Sequence, residues 1–119
     1  MSVLLGVDVG KVKVGIAKSV LNIVQPLDVV ERARYRAEKH ILSLLLTENV
    51  KEIIVGLPLS SDGSENEQCQ DVYAFVKRLK KRTDIPIIYQ DEYISSSESD
   101  GNDAKAAAII LKRHLFNSW

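Results

Sequence analysis

An apolar, branched run from Val3 to Val9, interrupted by one acid at Asp8, constrains this chain more than any other feature. Such a run reads as a buried strand. A carboxylate inside it is costly unless turn amides satisfy it or it has something to bind. Gly10 and Gly15 bracket a short basic turn, with Gly10-Lys11 expected as a tight hairpin. From Val12 to Ser19, Val12, Val14 and Ile16 alternate with Lys13, Gly15 and Ala17, giving a second strand. A third covers Val24 to Glu31, entered through Pro26, which suits an edge. Short turns between three strands make an antiparallel meander.

The period then changes. Ala37, Ile41, Leu44, Leu45 and Glu48 mark an amphipathic helix from Arg36 to Asn49. Glu52 to Gly56 is a short strand, and strand–helix–strand implies a crossover to a parallel neighbour. Ser64-x-x-Glu67 matches a capping box for a helix to Arg82, which buries Val72, Phe75, Val76 and Leu79. Ile85 to Tyr89 is another strand, with Gln90-Asp91-Glu92 at its carboxyl end, where α/β sheets gather ligands. Ser95 to Asn102 is a loop, and Asp103 opens a last helix, Ala104 to Leu115. The expected fold is α/β, a single domain over residues 1–119. Its sheet is mixed and five-stranded, antiparallel through the first three strands and parallel through the last two, with flanking helices.

A formal net charge of zero excludes a binder that works by bulk basicity, though not a local basic patch. The single cysteine, Cys69, allows no internal disulfide. With no signal-like start and no apolar run of membrane-spanning length, the expectation is a cytoplasmic protein without a membrane partner.

Three acidic positions stand out: Asp8, the Asp91-Glu92 pair, and Asp103. Each has a bland alternative: a carboxylate held by turn amides, solvated turn residues, and a helix N-cap. Neighbouring residues at a strand end face opposite ways, so one of Asp91 and Glu92 can join a given cluster. Carboxylates converging at one rim repel unless a divalent cation sits among them. An oxygen-only set suits Mg²⁺ or Mn²⁺, and two such ions support phosphodiester hydrolysis. No His/Cys spacing suggests zinc, and His40 and His114 read as structural residues.

In its ordered motifs the chain resembles the YqgF family of RNase H-like proteins, described as Holliday-junction resolvases and as nucleases maturing the small-subunit rRNA precursor. The motifs are Leu5-Gly-Val-Asp8-Val-Gly10 with Gly15-Ile-Ala, then Val55-Gly-Leu-Pro-Leu59 with Asp62-Gly-Ser64. Asp91-Glu92 with Ser95-Ser96, and Asp103-Ala-x-Ala-Ala-x-Ile-Ile-Leu111, complete the set. The resemblance implies an RNase H-like fold and a metal-dependent nuclease site of Asp8, Glu92 (or Asp91) and Asp103. The chain departs from the family in three places. Val12-Lys13 stands for the usual Lys-Arg, and Tyr93 for the arginine after the acidic pair. Ser97 to Asn102 replaces a longer, partly helical segment.

Lys11, Lys13 and Lys18 flank Asp8 in sequence and are the expected phosphate contacts, with Ser95 and Ser96 beside the acids. Tyr93 is either a base-stacking or a packing residue. Two further basic groups are Arg32, Arg34, Arg36 and Lys39, and Lys77, Arg78, Lys80, Lys81 and Arg82. The second of these reads as complementing a helix C-terminus. The reading is thus a nuclease of structured RNA or branched DNA. The alternatives are a weak or inactive family member that binds nucleic acid or protein, and a nucleotide-binding module of the actin and sugar-kinase type. The last would require a second copy of such a domain. A homodimer would suit a two-fold branched substrate, but nothing in the sequence demands one.

Overall fold

In a computed structural model the described residues are 1–93 and 104–116. They form a five-stranded sheet in the order β3-β2-β1-β4-β5, built from β1 (Val3–Val9), β2 (Lys13–Val20), β3 (Ile23–Glu31), β4 (Val50–Leu59) and β5 (Ile87–Tyr93). The first three strands pair antiparallel, while β4 lies parallel to both β1 and β5. The helices are α1 (Arg36–Thr47), α2 (Glu67–Lys80) and α3 (Ala104–Phe116), with a 3₁₀ turn at Ala33–Tyr35 before α1. None of the described helices is long and apolar enough to cross a membrane.

The run that opens the chain becomes the central strand, covered on both faces. Residues alternate across it. Val3, Leu5 and Val7 enter the larger core cluster, which they share with Ile53 and Val55 of β4, Ile41 of α1, and Phe75 and Leu79 of α2. Leu4 and Gly6 face the other way, toward a smaller cluster of Ala17, Ile54, Ala107, Ala108, Ile110 and Leu111. The sheet is therefore sandwiched between α1 and α2 on one face and α3 on the other.

Several local details differ from the sequence expectations. The first hairpin turns at Lys11-Val12, closed by a bond from the Gly10 amide to the Lys13 carbonyl (2.9 Å). The second turn, Leu21-Asn22, has positive φ at both residues (53° and 65°), as a type I′ hairpin requires. Pro26 lies inside the edge strand, beside a register shift that leaves Leu27 without a partner on β2. The strand expected over Glu52–Gly56 extends to Val50–Leu59 because it pairs on both edges. The capping box does not form: Asn66 is the N-cap of α2, its Oδ1 accepting from the Cys69 amide at 3.0 Å. The Ser64 hydroxyl instead donates to Asp62 at 2.6 Å. An Asx turn within Asp62-Gly-Ser64 competes with the cap and takes Ser64 out of it.

Candidate active site

Because β1, β4 and β5 run parallel, their carboxyl ends form one rim. Asp8 stands near the end of β1, opposite Gly15 of β2, and Glu92 near the end of β5, opposite Pro58 of β4. Face follows from alternation. Asp8 is two residues beyond Gly6 and shares its α3 face. On β5, Ile88 packs into the α3 cluster, so Gln90 and Glu92 share that face. Tyr89 packs on the α2 side, edge to face with Tyr73 at 5.3 Å between centroids, which sends exposed Asp91 to that side. The structure thus brings Asp8 and Glu92 to one face and leaves Asp91 on the other. Asp103 immediately precedes α3 in sequence and lies outside the described residues.

Between the two acids runs β4, and here the backbone makes room. A Cβ built on Gly56 would meet Ile110 Cδ1 at 2.5 Å and Glu92 Cγ at 3.5 Å. One on Gly6 would meet Leu111 Cγ at 2.6 Å and the Ala107 carbonyl at 2.7 Å. Two glycines therefore let α3 lie close on the sheet beneath the acids. Asp8 Oδ2 is closed off from solvent. Glu92 is ion-paired with Arg113, which α3 carries to it, and its side chain keeps one-fifth of its exposure. The site is a rim of oxygen donors on a tightly packed floor. Oxygen-only donors of this kind fit a hard divalent cation. Among the described residues no group of three His, Cys, Asp or Glu side chains gathers.

The basic candidates divide. Lys13 alternates onto the face of Asp8, and Lys11 is exposed at the tip of the same turn. Lys18 pairs with Leu5 across the hairpin, on the opposite face, and holds Glu48 at 3.2 Å, so it does not join the acids. Ser95, Ser96 and the side chain of Tyr93 lie outside the described residues. His40 Nε2 donates to the Asp28 carboxylate at 2.8 Å, and His114 stands 3.9 Å from Glu52.

Two roles escaped the sequence reading. Arg32 donates from its guanidinium to the Gly10 carbonyl at 3.0 Å and to Asp71 at 2.6 Å, while its amide donates to the Val12 carbonyl at 2.8 Å. One residue thereby fastens the turn after Asp8 to α2. Arg113 supplies the other. Both depend on contacts between residues far apart in sequence (Arg113 lies 21 residues from Glu92), so local pattern carried no signal for them. The loop after β4 is also built at this rim. Asp62 accepts from both the Ser64 amide and hydroxyl, which lowers its carboxyl below the usual value, and Gly63 takes φ +86°.

Strand order and mixed pairing define an RNase H-like fold. The chain matches the structure titled "T. thermophilus RuvC in complex with Holliday junction substrate" with a TM-score of 0.64. That match covers 98% of this chain and 95% of the other at 13% identity, a likeness of fold. A family model described as RuvX: Holliday junction resolvase matches residues 2–117, and the chain belongs to that family. It is 32% identical over 120 residues to a protein of Ruegeria sp. (strain TM1040), covering 92% of this chain and 76% of the relative. A protein of Anaeromyxobacter sp. (strain Fw109-5) is 33% identical over 129 residues, with 93% and 94% covered. Both carry the name "Putative pre-16S rRNA nuclease". Membership makes the chain a hydrolase of the nuclease class.

Proposed function

We propose that this chain is a metal-dependent endonuclease that trims structured RNA, the precursor of the small-subunit rRNA being the substrate its relatives' names point to, in the cytoplasm. Residues 1–119 serve as one nuclease domain. The observation that carries the reading is the meeting of Asp8 and Glu92 on one face of the sheet rim, from strands far apart in sequence. Asp8, Glu92 and Asp103 would hold Mg²⁺ or Mn²⁺, which when bound supplies an activated water and charge stabilisation at the scissile phosphate. The chain's own part is to orient. Gly6 and Gly56 hold α3 against the sheet, and the Arg32 anchor fixes the turn that offers Lys11 and Lys13 to phosphate.

The test is cleavage of rRNA-precursor fragments and four-way DNA junctions, with Mg²⁺ or Mn²⁺, by wild type and Asp8→Asn. Cleavage of the RNA by wild type alone is the expected result; preference for the junction would move the substrate to branched DNA. The ion pair between Glu92 and Arg113 favours one competing reading, a family member that binds nucleic acid without cutting it, because a cation would compete with Arg113 for that carboxylate. No cleavage of either substrate by folded protein would select it.

A further inference from the structure

On the sheet face opposite the acids, the chain assembles a second charged surface from two basic stretches that are separate in sequence. Arg78 of α2 donates from Nε to Glu38 of α1 at 2.8 Å, across 40 positions. The same guanidinium lies over the ring of Tyr35, 5.7 Å from its centroid. That contact places the cations following β3 beside those ending α2. Arg34 and Arg36 flank Tyr35, Lys39 follows Glu38, and Lys81 and Arg82 form the turn that closes α2 just beyond Arg78, where the Arg82 amide donates to the Leu79 carbonyl at 2.9 Å. All five are exposed, and among the described residues none makes an ion pair. The one acid inside the group, Glu38, is buried and already held by Arg78.

The aromatic at its centre is held out. Tyr35 is 60% exposed although it is a large ring beside a core. It and Arg34 both take left-handed backbone angles (φ 59° and 58°), which non-glycine residues adopt at a cost. The strained pair breaks the chain's path into α1 and gives Tyr35 one ring face toward Arg78 and exposure elsewhere. A ring with a guanidinium on one side, surrounded by uncompensated cations, is a stacking platform for a nucleobase.

We propose that this surface, on the α1–α2 side of the sheet and opposite the acids, is a second nucleic-acid contact that takes a single-stranded RNA tract, one base stacking on Tyr35 and phosphates lying on the surrounding arginines and lysines. Charge complementarity and an exposed ring select that occupant over a protein or membrane surface. The inference rests on nucleic acid being the substrate, but not on cleavage. The bland view of the α2 cations, as complements to a helix end, explains their sign without explaining why Tyr35 and the Arg34–Arg36 stretch meet them.

The experiment is fluorescence anisotropy with an unstructured fluorescein-labelled RNA of about 15 nucleotides, in EDTA, on an Asp8→Asn background. Tyr35→Ala is expected to weaken binding by about tenfold, while Tyr35→Phe, which keeps the ring, retains it. Arg34→Gln with Arg36→Gln should flatten the salt dependence by about 1.4 in log–log slope, at 0.7 per lost phosphate contact on a single strand. Folding of each variant is checked by circular dichroism and thermal melting. Unchanged affinity and slope in folded variants overturn the proposal, as does failure of the unmodified chain to bind this RNA. Binding that depends on Tyr35, in a protein that never cleaves, would leave this surface standing and overturn the nuclease reading alone.

Discussion

The two faces of the sheet are packed by different rules. On the α1–α2 face the core is deep and bulky, with Leu5, Ile16, Ile41, Ile53, Phe75 and Leu79 all fully buried. On the α3 face the cluster is smaller and thinner, with Gly6, Ala17, Gly56, Ala107 and Ala108 letting α3 seat Ile110 and Leu111 close against the sheet beside Ile54. The deep face supplies most of the buried apolar area and hence most of the hydrophobic driving force. The thin face brings a helix close enough for Arg113 to reach Glu92 on the face that also carries Asp8. Bulk is spent where nothing happens chemically, and close approach where the acids stand.

Substitutions test that division, beginning with the largest effect. Asp8→Asn should cost about 4 kcal/mol of transition-state stabilisation, roughly a thousandfold in metal-dependent cleavage, with an unchanged melting temperature. A parallel loss of stability would show that Asp8 serves the core. Phe75→Ala should do the opposite, costing about 3–5 kcal/mol in denaturant unfolding. Gly6→Ala lies between. The new methyl would meet both backbone and side chain of α3, so overpacking should cost about 1–3 kcal/mol and reduce cleavage as well. Gly56→Ala should be milder, since the atom it meets is the far end of the Ile110 side chain. If the two glycine variants are equally tolerated, the α3 contact is looser than its geometry implies.

Smaller effects should come from the anchors that cross between faces. Arg32→Gln removes the guanidinium bonds to Gly10 and to half-exposed Asp71, for about 1 kcal/mol of stability after solvent screening. Its sharper signature is a raised KM for RNA with kcat nearly kept, since the turn it holds offers Lys11 and Lys13. The smallest effect concerns pH. Asp62 has a lowered folded pKa, so its support of the loop is present above its usual value of 3.8 and is lost as pH falls through the lower folded value. Asp62→Asn should abolish that acid-side dependence, read by the exchange protection of the Ser64 amide between pH 5 and 2.

Much of this architecture was legible in the chain. The period-2 meander, the change of period at Arg36 and the buried runs after it yield the five strands and three helices, because alternation and 3.6-residue spacing are local properties. Asp8 was legible for the same reason: a lone acid in an apolar strand is a local contradiction. The capping box at Ser64 misled because Asp62 and Asn66 offered competing side-chain bonds that the pattern could not rank.

Sequence by itself determined that Asp91 and Glu92 face opposite ways, that Asp8 lies inside an apolar strand, and that basic residues fall into three groups. Which of the paired acids shares a face with Asp8 was decided by tertiary structure, through the parallel register that sets Ile88 against α3 and Tyr89 against α2. The same holds for Lys18, turned to the far face by its pairing with Leu5, and for the two basic stretches joined through Arg78 and Glu38. The physical reason is common to all three. Side-chain alternation fixes relative direction along one strand, whereas absolute direction depends on what covers each face, and only the packed sheet specifies that.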